Sequence, residues 1–181
     1  MATKVVIYGL STEGYSLACT IALNGGDVQI IDESTPSAIS IKQDIATSYP
    51  SVQALRDDEP LLAMTSIDAA ISKAQVLIFA PKIRKIGQDI KIEINSKFKN
   101  AVSNIKKGCS VVYGLGTGFG GNSENISLLE HVTGLKVGKN ISYFYYPLSK
   151  QTTKSYIGSS NDKEHEKLKN LLTSDKNFNF L

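Results

Sequence analysis

The residues of this chain whose types and spacing could do chemistry are glycines and acids, not histidines or cysteines. Gly9-Leu10-Ser11-Thr12-Glu13-Gly14 interrupts an apolar run, Lys4-Val-Val-Ile-Tyr8, and opens a stretch with helical spacing. Glycines in such a turn let the backbone approach an anion closely. The first N–H groups of the following helix, and the positive end of its dipole, then favour a phosphate. Ser11 stands where the middle glycine of a dinucleotide-binding fingerprint is usual. Its hydroxymethyl group either crowds a phosphate or hydrogen-bonds it. Glu13 puts a carboxylate in the same turn, which repels an anion unless it points away. Asp32 and Glu33 end the next apolar run, where an acid accepts hydrogen bonds from an adenosine ribose. A carboxylate there favours NAD over NADP, whose 2′-phosphate it repels. The structural reading of Gly9, Gly14 and Asp32 is the remnant of an ancestral cofactor site.

Two further loops belong to the same set. Ala80-Pro81-Lys82 closes the apolar run that begins at Val76, and Gly114-Leu-Gly116-Thr117-Gly-Phe-Gly-Gly121 follows the run at 110–113. In an alternating α/β chain both loops reach the crevice side of the sheet. The dinucleotide contacts expected are therefore Gly9, Leu10, Ser11, Thr12, Glu13, Gly14, Asp32, Glu33, Ala80, Pro81, Lys82, Gly114, Gly116 and Thr117. The glycine-dense loop fits equally a flexible segment whose function has decayed. Cys19 and Cys109 form no CxxC or CxxH pairing and read as reduced core thiols of a cytoplasmic protein. His131 and His165 are isolated, so neither a metal site nor a histidine-based triad is expected.

The elements that must position these residues alternate along the chain. Strands are expected over 4–8, 28–31, 62–65, 76–80, 110–113, 141–146 and 155–158. Helices are expected over 14–22, 37–47, 66–73, 89–107, 123–132 and 161–173. Residues 49–60 read as polar and turn-rich. Strand, glycine turn, helix, strand and acid over the first 32 residues make a βαβ unit. The whole pattern predicts an α/β, Rossmann-like, doubly wound and mostly parallel sheet with helices on both faces. The length of 181 residues fits one domain, 1–181, with a charged helix and an aromatic tail from about 160.

In order, these segments resemble the NAD-binding N-terminal domain of the UDP-glucose/GDP-mannose dehydrogenase family. Val5-Val-Ile-Tyr-Gly-Leu-Ser-Thr-Glu-Gly14 is similar to that family's strand and glycine loop, and Ala74-Gln-Val-Leu-Ile-Phe-Ala-Pro81 to its next Val-Pro turn. Lys107-Gly-Cys-Ser-Val-Val112, Thr133-Gly-Leu-Lys-Val-Gly138 and Tyr145-Tyr-Pro147 resemble later motifs, and Tyr156-Ile-Gly158 the end of the domain. The resemblance implies NAD as cofactor and an oxidation of a sugar-nucleotide alcohol to a carboxylate. The departures fall on the chemistry. The family's active-site threonine corresponds to Leu115 or is displaced to Thr117, and Leu148 follows Pro147 where the family has a catalytic glutamate. The family's cysteine nucleophile lies in a later helical domain, so no catalytic residue is assigned here. A dinucleotide binder that lacks the catalytic half is expected.

The formal charge of +3 averages two opposed regions. Between 82 and 107, Lys82, Arg84, Lys85, Lys91, Lys97, Lys99, Lys106 and Lys107 meet only Asp89 and Glu93. Between 32 and 68, Asp32, Glu33, Asp44, Asp57, Asp58, Glu59 and Asp68 meet only Lys42 and Arg56. A solvated helix face accounts for the basic stretch. The competing reading is a non-catalytic interaction or regulatory scaffold that offers Lys82, Arg84 and Lys85 to an anionic or protein partner. So small a charge does not point to nucleic acid, and no apolar run is long enough to span a bilayer. Tyr143–Tyr146 with Phe178 and Phe180 are either packing residues or a docking face for a homodimer.

Overall fold

The computed structural model describes residues 1–35, 37–83, 87, 89–148, 156–159, 165–172 and 179–180. Arg84, Lys85 and Phe178, on which part of the interaction expectations rest, lie outside the described residues, as do the side chains of 156–159 and 179–180. In chain order the elements are β1 (Lys4–Tyr8), α1 (Thr12–Leu23), β2 (Asp27–Asp32), β3 (Ser37–Ile41), α2 (Gln43–Ser48), α3 (Val52–Asp58), β4 (Met64–Ser66) and α4 (Ile67–Lys73). There follow β5 (Val76–Phe79), α5 (Asp89–Val102), β6 (Ser110–Tyr113), α6 (Gly121–Thr133), β7 (Ser142–Tyr145), β8 (Tyr156–Ser159), α7 (His165–Leu172) and β9 (Asn179–Phe180). The sheet order is β4-β3-β2-β1-β5-β6-β7-β8-β9. Its middle, β2-β1-β5-β6-β7, is parallel throughout; β3 and β8 join it antiparallel, and β4 pairs antiparallel with β3. This is the expected Rossmann-like α/β architecture.

The central strands are apolar on both sides because both sides are covered. Val5 and Ile7 of β1 point into one layer with Tyr15, Leu17, Ala18 and Ile21 of α1 and Leu168, Leu171 and Leu172 of α7. Val6 and Tyr8 point into the other, with Phe79, Phe98, Val102 and Tyr113. Phe98 of α5 is the centre of that second layer, 5.0 Å from the Phe79 ring and 5.2 Å edge-on to the Tyr113 ring. Tyr143 and Phe144 are buried against the sheet faces, so these two aromatics pack inside the chain.

Several elements differ from the sequence expectation, among them the short strand β9 at Asn179–Phe180, which was not expected. Residues 37–41 form a strand, not the start of a helix, and only 43–48 are helical. Asp32 turns the chain sharply: its Oδ1 accepts the N–H of Ser34 at 2.9 Å and the Ser34 hydroxyl at 2.7 Å. The returning segment then pairs Val28 with Ile41 and Asp32 with Ser37. Local spacing by three loses to that hairpin, which buries Ala38 and Ile41. The polar stretch after Tyr49 contains α3, which Ser51 starts by accepting the Ala54 N–H at 3.2 Å and which ends at Glu59 with φ 44°. Helix α5 stops at Val102, short of Lys107, though Ile105 beyond it stays buried. Among the described residues no helix is long and apolar enough to cross a membrane.

Phe98→Ala empties a ring-sized volume from the second layer and should lower stability by about 3–5 kcal/mol, read as a fall in the urea midpoint. A loss below about 1 kcal/mol would mean that the layer closes over the gap.

Candidate functional site

The turn after β1 is fixed by what its glycines exclude. At Gly9, with φ 116°, an added Cβ would lie 2.4 Å from both the Ala80 carbonyl oxygen and the Pro81 Cα. At Gly14 it would lie 2.8 Å from the Gly9 carbonyl oxygen and 3.0 Å from the Ser11 hydroxyl. The first glycine thus lets β1 meet the end of β5, and the second lets α1 settle onto β1. Ser11 turns inward: its hydroxyl donates to the Ala80 carbonyl at 3.0 Å and accepts the Gly14 N–H at 3.0 Å. It caps α1 and ties the loops after β1 and β5, so its hydroxyl is engaged on both sides. The N–H groups of Thr12 and Glu13 carry no hydrogen bond among the described residues.

Chain direction along the sheet reverses here, since β1 continues to β2 on one side and β5 lies on the other. Open α/β sheets bind ligands outside the carboxyl ends of the strands at such a switch point. A crevice of about 270 Å³ lies there, lined by Leu10, Ser11, Thr12 and Glu13 after β1, Pro81, Lys82 and Ile83 after β5, and Val52 and Arg56 of α3. Arg56 went unnoticed in the sequence because α3 did. Ser51 was the readable signal, since it sets the cap that puts Val52 and Arg56 one turn apart on one face. A second cavity of about 390 Å³ shares Thr12, Glu13 and Val52 and extends along α1 to Tyr146, Pro147, Leu148 and Leu172.

The acids at the end of β2 do not line this crevice. The turn engages Oδ1 of Asp32, while its Oδ2 has no partner among the described residues. Glu33 is held by Lys97 of α5, whose ammonium lies 2.9 Å from Glu33 Oε2, 3.4 Å from Glu93 Oε1 and 2.9 Å from the Lys82 carbonyl oxygen. That ammonium joins the tip of β2 to the loop after β5, across the end of β1. Beneath it, burial first and Glu33 second push the Tyr8 phenol up from its ordinary value. The basic and acidic regions of the sequence thus meet in part inside the fold, and Asn104 adds a hydrogen bond to Asp68 at 2.8 Å.

The glycine-dense loop divides. Gly114 donates to the Phe79 carbonyl at 2.8 Å and accepts from the Leu148 N–H at 3.0 Å, so Leu148 packs beside it. An apolar side chain there neither moves a proton nor orients water. Gly116 and Thr117 line a separate cavity of about 250 Å³ with Tyr113, Lys91 and Asn125, on the face covered by α5 and α6. The Thr117 N–H donates to the Tyr145 hydroxyl at 3.2 Å. Ala80 lies behind the glycine turn as the acceptor of Ser11. The described contacts therefore unite Leu10, Ser11, Thr12, Glu13, Pro81 and Lys82 in one crevice and leave Asp32, Glu33, Gly116 and Thr117 outside it. Both thiols are poor nucleophiles: burial raises Cys19 and pushes Cys109 up to about 12.

No protein-family model matches the sequence, and no curated protein matches it. Solved structures do. A UDP-D-ManNAc dehydrogenase from Pyrococcus horikoshii superposes with a TM-score of 0.71 at 18% identity, over 96% of this chain and 46% of that one. An NDP-N-acetyl-D-galactosaminuronic acid dehydrogenase from Methanosarcina mazei Go1 gives 0.66 at 14% identity, over 94% and 42%. A GDP-mannose dehydrogenase from Pseudomonas aeruginosa gives 0.66 at 16% identity, over 92% and 43%. This chain spans less than half the length of each. In fold, the resemblance drawn from the sequence motifs holds.

Ser11→Ala removes the cap of α1 and the tie to Ala80, and should cost about 1–3 kcal/mol in urea unfolding. Unchanged stability would mean that the hydroxyl is idle. Cys109 and, through burial, Tyr113 are both pushed up to about 12 in the folded chain. Unfolded, they titrate near 8.5 and 10. The native state therefore holds these protons more tightly. The stability they contribute is whole below about pH 8.5 and is lost as pH rises toward 12. The urea midpoint should fall steadily above about pH 9, with the early part of the fall reduced in Cys109→Ala, where the raised Cys19 thiol remains. A midpoint flat to about pH 11 would contradict this.

Proposed function

We propose that this chain binds a dinucleotide at the crevice between β1 and β5, with NAD preferred over NADP, as the cofactor-holding part of a nucleotide-sugar-dehydrogenase-like oxidoreductase. One observation carries the reading. The cavity at the switch point is lined by Leu10, Ser11, Thr12 and Glu13 of the glycine turn and by two cationic residues, Arg56 and Lys82. The residues fit the group in that Gly9 and Gly14 hold α1 close, and the Ser11 hydroxyl is engaged by Ala80 and Gly14. Bound there, NAD would supply a hydride acceptor. Asp32 lies outside that cavity at the end of the adjacent strand β2, where a dinucleotide extending from the cavity would meet its unengaged carboxylate oxygen, the group for the ribose hydroxyls and against a 2′-phosphate. Leu148 and the two buried thiols offer neither the base nor the nucleophile that a full oxidation to a carboxylate requires.

A second reading has its own support. Ala80 and Gly14 already engage the Ser11 hydroxyl, and Lys97 already engages Glu33 and the Lys82 carbonyl, as in a scaffold that no longer takes a ligand. Calorimetric titration separates the two. NAD should bind saturably and more tightly than NADP, and Asp32→Ala should weaken NAD about tenfold while narrowing its advantage over NADP. No heat at millimolar NAD would remove the cofactor reading in favour of the scaffold.

A further inference from the structure

Resting on the dinucleotide reading, we propose that the diphosphate is gripped by Arg56, together with Lys82, instead of resting on the amino end of α1. Three observations on the same cavity point this way. Ser11 takes the Gly14 N–H into its cap, which removes one of the donors that the start of a helix offers an anion. Glu13 lines the crevice and is the acidic residue of the first turn of α1, so that an anion seated on that turn meets a negative charge from the same turn. Arg56 and Lys82, from the elements that wall the crevice on either side of the turn, have exposed side chains that form no ion pair among the described residues.

The position of Arg56 is built into the fold. Leu55 beside it is buried in the α1 layer and anchors α3, Ser51 caps the helix, and Val52 one turn earlier lines the same crevice. The neighbouring acids Asp57, Asp58 and Glu59 are not among the residues that line it. Asp57 is occupied by Gln53, at 2.7 Å. A guanidinium presents several donors in a planar fork that matches phosphate oxygens, and a lysine adds a point charge from the loop after β5. Arg56 becomes the residue that places the ligand along the crevice, and Glu13 the one that keeps phosphate off the helix.

The test is calorimetry on the full chain with NAD, adenosine and inorganic pyrophosphate as separate probes. Arg56→Gln should weaken NAD and pyrophosphate each about tenfold, the scale of one hydrogen bond to a charged group, and leave adenosine unchanged. Arg56→Lys should recover part of the loss. Thermal melts of both variants should match the parent, since the side chain is exposed. Parental affinity for NAD and pyrophosphate in Arg56→Gln overturns the proposal and leaves the dinucleotide reading standing. So does an equal loss for adenosine, which would mean that the change acts through the shape of the crevice. If the parent binds pyrophosphate but not NAD, the dinucleotide reading falls, and the role of Arg56 stands provided Arg56→Gln loses pyrophosphate. Binding of none of the three by the parent overturns both.

Discussion

The tip of β1 and the end of β5 touch backbone to backbone, because Gly9 has no side chain to hold them apart. The gap is too narrow for even one methyl group, with 2.4 Å left between an added Cβ and the Ala80 oxygen. Much else at the carboxyl edge follows from that contact. It places the Ala80 carbonyl where the Ser11 hydroxyl can reach it, and the same hydroxyl then starts α1. With α1 started there, Gly14 sits against β1, and Tyr15, Ala18 and Ile21 fall into the layer shared with α7. The crevice is the space left in front of this joint. Its floor is as rigid as the strands that make it.

Charge organises the other side of the joint. A linear count separates an acidic first third from a basic middle, yet folding brings the two together at Lys97. One ammonium answers Glu33, Glu93 and a main-chain carbonyl, and its side chain is only 19% exposed. Partly buried and shared among several acceptors, such an ion is screened less by salt than the exposed Lys91–Glu124 pair on the neighbouring helices. Lys97 holds the loop after β5 to the end of β2, on the face opposite α1. The crevice is thus braced by a hydroxyl on one face of the sheet and by an ion cluster on the other.

The central strands and α1 were legible in the sequence because each carries its own local signature. The run Val5–Tyr8 is apolar throughout as a strand covered on both faces must be, and Gly14, Leu17, Ala18, Ile21 and Ala22 recur at helical spacing. What was not legible depended on partners distant in the chain. Residues 37–41 have helix-compatible spacing, and only pairing with β2 makes them a strand. Arg56 looks like one cation among acids until α3 turns it to the crevice. Gly116 and Thr117 belong in sequence to a crevice loop, but packing between α5 and α6 draws them to the other face. Glu33 is one of two adjacent acids at a strand end, and only the reach of Lys97 from α5 decides that Glu33 is taken up in an ion cluster while Asp32 holds the turn. In each case the deciding contact spans more chain than a periodicity can see.

The joint between β1 and β5 also has a place in time. Ser11 and Ala80 are 69 positions apart, whereas β2 and β3 pair through a turn of a few residues. Closing the longer loop costs more chain entropy, so the hairpin can form early and the crevice only once most of the chain has been gathered. Occupancy of the crevice is then a property of the completed sheet alone. A ligand held there draws the whole population toward the folded form, in proportion to its concentration over its dissociation constant.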